Sequence, residues 1–266
     1  MNLKNKNLKL FSMMAAYTAV CGFVARYLMR KQELLPNGSL TEGAVMYRVL
    51  PLVCLLFALG TIVIFWKIPR HTAWSSVSVK PLPAILLFGA ATILAVGNVL
   101  LLLSGEAPAS IYIASAPEFA DFLGKIVPPL GILAAGCMGY FAYCCYQKKK
   151  PSALLYMCVS LYFAVRLIVR FQAWNTDPSI HDYCYALLAN IFVMLATFHV
   201  AGFSFDKGKR RMTLFCLMCS IMFGAITVAD AIYDSNWGDL LLHVSILIAG
   251  FAHGLQLLGE ETEIEK

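Results

Sequence analysis

Eight apolar stretches separated by short polar segments account for most of the chain: Leu10–Met29, Val49–Trp66, Ala84–Leu103, Ile126–Tyr146, Ser152–Ala173, Tyr183–Phe205, Met212–Tyr233 and Leu240–Leu258. A helix needs about 20 such residues to cross about 30 Å of hydrocarbon, so each stretch predicts a transmembrane helix. Runs such as AILLFGAATILAVGNVLLLL lack the alternation of apolar and polar residues that a lipid-facing strand shows. The fold class read from this pattern is all-α, a polytopic integral membrane protein with eight transmembrane helices in a single domain over residues 1–266.

Local signals refine the pattern. Ser115-Ala116-Pro117-Glu118 reads as a capping box with proline in the first turn. Phe119, Phe122 and Leu123 then form an apolar face, which predicts a short interfacial helix before the fourth span. Asp177-Pro178 reads as a start signal for the sixth. Pro51 and Pro128-Pro129 are expected near helix starts, where a missing N–H costs little. Asn37-Gly38-Ser39 fits a glycosylation sequon. Lys4, Lys6 and Lys9 give the first stretch the basic start of a signal peptide, but no small-x-small site follows, so it is read as a retained helix. The connections are too short for a soluble domain, which excludes receptor kinases and fused ATPases.

Composition changes the picture only in how it is placed. Charged residues make up 14% of the 266, against about 25% in ordinary globular domains. With the N-terminus inside, 14 of the 21 Lys and Arg fall on the cytoplasmic side, in groups around Lys67, Lys148–Lys150 and Lys207–Arg211. Five fall outside (Arg26, Arg30, Lys31, Arg48 and Lys125), along with acids such as Glu33, Asp177, Asp182, Asp234 and Asp239. This bias predicts both termini in the cytoplasm, in a plasma membrane. The net charge of +6 is thereby a topology signal, and no nucleic-acid partner is expected. All nine cysteines lie in or at the ends of apolar runs, away from the external loops where a disulfide framework would sit.

The halves 1–147 and 148–266 carry matching polar positions, which suggests a parallel 4+4 repeat. Arg26 and Arg30 in the first helix parallel Arg166 and Arg170 in the fifth, and Asn98 parallels Asp230. Low-complexity apolar sequence also aligns with itself by chance.

Ionisable groups inside a span cost about 2.5–3.5 kcal/mol each on insertion scales. Tyr162, Arg166, Arg170 and Trp174 share one helical face. Arg170 lies close enough to the outer surface to snorkel, whereas Arg166 must face protein or a cavity. Asp230 and Asp234, also four apart, predict an Arg–Asp ladder between the fifth and seventh helices. Arg26, Asn98, Asn190 and His243 lie at similar depth. Together Arg26, Asn98, Arg166, Arg170, Asn190, Asp230 and His243 predict an outer polar cluster. It reads either as a pocket for a carboxylate or phosphate or as an ion-pair network that fixes helix order. Cys144, Cys145, Cys216, Cys219, His199 and His253, toward the inner side, form a metal-site alternative to simple packing. The small residues Gly131, Ala135 and Gly139, and Gly250 and Gly254, predict close helix approach.

No nucleophile elbow, P-loop, HExxH or dinucleotide fingerprint is present, so no enzyme and no cofactor are expected. The leading functional expectation is a small secondary transporter for an anionic or carboxylate-bearing solute. In that scheme the solute displaces Asp230 from the guanidinium groups. The alternatives are a membrane subunit, sensor or assembly factor docking a protein at the basic loops, and a membrane-embedded enzyme acting on lipids.

Overall fold

The computed structural model describes residues 3–33, 44–69, 71–74, 77, 80–104, 117–174 and 180–259. Among them the fold is all-helical: α1 (Leu3–Gln32), α2 (Met46–Phe65), α3 (Pro81–Ser104), α4 (Pro117–Tyr146), α5 (Ala153–Trp174), α6 (Ile180–Phe203), α7 (Arg210–Tyr233) and α8 (Trp237–Leu258). All eight are long and apolar enough to cross a membrane. Each coincides with one of the eight stretches read from the sequence.

The differences lie at the helix ends. The expected interfacial helix is not separate, because α4 runs from Pro117 without a break. Pro51 and Pro128-Pro129 are not start signals either, since they lie inside α2 and α4. A helix continues through them only because the bundle holds it, as the carbonyls four residues back lose their N–H partner. Asp177-Pro178 and the Asn37 sequon lie outside the described residues.

Six helices close a ring in chain order, α3 to α8, with α8 returning against α3. α1 packs broadly on α7 and more lightly on α8, and α2 touches only α7 and α1 to any extent. The sequence-matched pairs therefore have different neighbours: α1 meets α7, whereas α5 meets α4 and α6. α7 is enclosed, with every residue from Cys216 to Ala231 buried. That suits a helix apolar all round. α2 is its opposite, exposing Leu52, Leu55, Leu56, Leu59 and Val63 as the kind of surface a bilayer covers.

Between apolar helices in lipid, close approach and hydrogen bonds replace the hydrophobic drive. Ser160 Oγ donates to the Met194 carbonyl at 3.1 Å, joining α5 to α6, and Ser245 Oγ donates to the Ala90 carbonyl at 2.7 Å, joining α8 to α3. The small-residue stripes do pack closely. A Cβ on Gly254 would fall on the buried Phe11 ring, and one on Gly131 would fall on the Asn98 amide.

Two acids organise the helix ends. Glu33, just past α1, accepts the N–H groups of Val45, Met46 and Tyr47 at 2.7–2.9 Å and so caps α2. Desolvation raises its pKa, but these three hydrogen bonds outweigh it and hold the carboxyl below its usual value. At the other end Asp206 accepts from Lys150 Nζ at 2.6 Å and from the Trp74 N–H at 3.0 Å, and both hold its carboxyl low. Gly208 pairs with Thr72 nearby. The connections after α2, α4 and α6 thus meet at one end, the basic end. The cluster of arginines and aspartates lies at the opposite, acidic end.

Gly254→Ala should lower the melting temperature in detergent, at a cost of about 1–3 kcal/mol from overpacking. Gly136→Ala, where nothing lies within 4 Å of the added carbon, should leave it unchanged or raise it slightly. Glu33→Gln should destabilise at pH 7. The folded pKa is depressed, so the Glu33 contribution is complete above about 4.5 and is lost as pH falls through the lower folded value. Melting curves of the two proteins should therefore converge in acid.

Candidate functional site

The last two turns of α1 carry Arg26 and Arg30 four residues apart, and those of α5 carry Arg166 and Arg170 in the same spacing. That spacing places both guanidinium groups of a pair on one helix face. All four are buried, so each pair needs an anion.

α7 supplies the first. Arg26 Nε and Arg30 Nε both donate to Asp230 Oδ1, at 2.7 and 2.8 Å. Arg30 Nη2 reaches Asp234 Oδ2 at 3.4 Å. The Arg26 guanidinium also lies over the Tyr185 ring of α6, 5.1 Å from its centre. α8 supplies the second. Arg166 Nη2 donates to Asp239 Oδ1 at 2.8 Å, and Arg170 Nη2 donates to both Asp239 oxygens. Asp239 sits in the first turn of α8, where the helix N-terminus favours a negative charge. Asn236 caps that turn by accepting the Asp239 N–H at 3.0 Å.

The pairing differs from the ladder expected between the fifth and seventh helices. Arg166 and Arg170 meet Asp239 of α8, and Asp230 belongs to Arg26 and Arg30. The physical reason is helix order, because α1, not α5, lies broadly against α7. Arg170 does not snorkel outward either, since Asp239 holds it in the protein. Arg30, Asp234 and Asp239 complete the cluster. Arg30 was visible as the second member of a pair, whereas Asp239 was visible only as an outside acid; the Asn three residues before it is the signal that could have placed it in the first turn of α8.

Between the two knots lies a cavity of about 230 Å³ lined by Arg30, Arg166, Arg170, Asn190, Thr227, Asp230, Asp239 and His243, with half-exposed Asp234 at its margin. Four polar atoms buried around it have no protein partner among the described residues: Arg166 Nε, Asn190 Oδ1, Asp230 Oδ2 and His243 Nδ1. Such atoms are rare in folded interiors. Asn98 is not in the lining. It accepts from the Tyr162 hydroxyl at 3.0 Å and donates to the Leu94 carbonyl at 2.8 Å, behind the site.

The inner-side thiols and imidazoles do not assemble. Among the described residues no group of three or more His, Cys, Asp or Glu is placed to hold a metal. His253 instead contacts the Tyr156 hydroxyl with one ring nitrogen and Gln256 Oε1 with the other.

Asp230→Ala removes a buried carboxylate shared by two arginines and should cost about 3–5 kcal/mol in detergent unfolding. Asp234→Ala, at the half-exposed partner, should stay within about 1 kcal/mol.

The site stands without a precedent to interpret it: comparison of the chain with protein-family models, with curated proteins and with solved structures gives no match.

Proposed function

We propose that this multi-pass membrane protein is a small permease that binds a carboxylate-bearing monoanion in the acidic-end cavity. The eight apolar helices are consistent with the coarser part of that reading. The rest is supported by one observation: a charged cavity whose lining retains unsatisfied hydrogen-bonding atoms.

The chemistry follows from the balance of groups. Among the described residues four guanidinium groups face three carboxylates, an excess of one positive charge. A monoanion neutralises it. Arg166 Nε–H is a donor for the solute carboxylate. Asp230 Oδ2 and Asn190 Oδ1 are acceptors, so a hydroxyl or ammonium group on the same solute has partners. About 230 Å³ suits a small metabolite and is below the range of drug-sized pockets. Asp239 is the counter-ion that competes with solute for Arg166 and Arg170, and Asp230 serves Arg26 and Arg30. This divides the role first given to Asp230 alone.

Orientation belongs to the same proposal. Basic connections after α2, α4 and α6 share one end through Asp206 and Gly208. That end and both termini face the cytoplasm of a plasma membrane, and the cavity faces outward. The chain is proposed to act without covalent chemistry.

A purely structural ion-pair network is the second reading, favoured by the many closed Arg–Asp contacts. A thermal-shift screen of purified protein against small hydroxy- and amino-carboxylates separates the two. The permease reading expects stabilisation by one of these solutes and its loss in Arg166→Gln. Asn190→Ala and His243→Ala remove Asn190 Oδ1 and His243 Nδ1, which have no protein partner among the described residues, so the folded variants should bind about tenfold more weakly, and a melting curve without solute reports the separate cost of losing the Asn190–Ala186 hydrogen bond. If the wild type responds to no carboxylate, and uptake into vesicles is absent, the network reading stands.

A further inference from the structure

A second cavity lies at the other end of the bundle and has no part in the proposed transport site. It is a groove of about 520 Å³ between the last turns of α2 and the first turns of α7. Ile62, Phe65, Met212 and Phe215 form its walls. Thr61 also lines it, but its hydroxyl is spent on the Phe57 carbonyl at 2.9 Å, so the floor offers no free polar group there. The groove exists because α2 is lightly attached, touching only α1 and α7 to any extent.

Its mouth has the opposite character. Lys209, Arg211 and His71 ring the basic end, and among the described residues no acidic side chain lines the groove. The ring is built, not incidental. The Thr72 N–H donates to the Gly208 carbonyl at 3.0 Å, which brings His71 alongside Lys209. Arg211 donates through Nε and Nη2 to the Ile68 carbonyl at 3.2 and 2.8 Å. Its guanidinium lies over the Trp66 ring, 5.1 Å from the centre. Fixed in this way, it still presents N–H groups that no described residue accepts. The nearest acid in the connection, Asp206, is engaged by Lys150 and the Trp74 N–H.

From Lys209 to Phe215, and from Thr61 to Trp66, the walls run roughly 8–9 Å along the helix axes. That is the depth of a single leaflet's outer half. An apolar slot of that depth, open sideways and ending in cations at the interface, matches an amphiphile with an anionic head.

We propose that this groove binds an anionic phospholipid, with its phosphate on Lys209, Arg211 and His71 and an acyl chain along Ile62, Phe65, Met212 and Phe215. The bound lipid fills the gap beside α2 and fastens that helix to α7.

Trp66 lines the groove and is the natural reporter. The full chain carrying Trp74→Phe, Trp174→Phe and Trp237→Phe retains it as the sole tryptophan. This protein is reconstituted into phosphatidylcholine vesicles with a graded fraction of either phosphatidylglycerol or phosphatidylcholine bearing dibrominated acyl chains. The expected result is quenching of Trp66 by brominated phosphatidylglycerol at about fivefold lower lipid fraction than by brominated phosphatidylcholine. Lys209→Gln, at an exposed side chain, should erase the preference while leaving the melting temperature in lipid-free detergent unchanged. Equal quenching by the two lipids overturns the proposal. So does full relief of quenching by inorganic phosphate, which would make this a phosphate site. Shielding of Trp66 from both lipids also overturns it and assigns the groove to a protein helix. None of these readouts depends on solute binding at the acidic end.

Discussion

Two guanidinium groups from α1 share a single oxygen of Asp230, and the bundle is organised around the helix that bears it. α7 is enclosed on every side from Cys216 to Ala231, so its carboxylate cannot escape to solvent and must be met by a neighbour. Only a helix lying directly against α7 can do this, and α1 brings two arginines on one face. The need for charge balance thus fixes both the position and the rotation of α1. The same need leaves a remainder. One oxygen satisfies two arginines, and the other faces the cavity with no protein group to accept from. The proposed binding role and the structural one are therefore not rivals at this carboxylate, because its first oxygen serves the fold and its second has no partner among the described residues.

Asp239 works differently. It uses both oxygens on Arg170 and one on Arg166, and it has its own cap and helix dipole behind it. The two knots differ in geometry, although the arginine pairs that make them are spaced alike. At the basic end the charged contact described is of another kind. Asp206 joins three connections there in exposed surroundings, and α2 is secured by apolar contact with α7 and α1 and by the hydrogen bonds of the connection that follows it.

The eight helices were legible because a span must be apolar over its full length, whatever its neighbours. Their ends were less so. α2 is capped by Glu33, a side chain across a connection, and no local motif announces that. Pro128 and Pro129 read as a boundary because a lone helix would break there, but contacts with α3 and α5 carry α4 through. In the site, the arginines and Asn190, Asp230 and His243 stood out as polar groups at costly positions. Which acid met which arginine did not, since that depends on α1 crossing to α7, and periodicity carries no information on helix order. Asp239 looked like a loop acid because the apolar run begins after it. Asp206, a lone acid within a strongly basic connection, was an anomaly the chain displayed openly.

The contact between Arg26 and Asp230 spans 204 positions. At about 5–20 residues per second, a ribosome makes the aspartate roughly 10–40 s after the arginine. For a chain inserted as it is made, α1 must wait that long with its charges uncompensated, resting near the headgroups. Its inward turn onto α7 can come only after the seventh helix is made, so a chain halted before that helix would leave its first one unsettled and exposed to quality-control proteases.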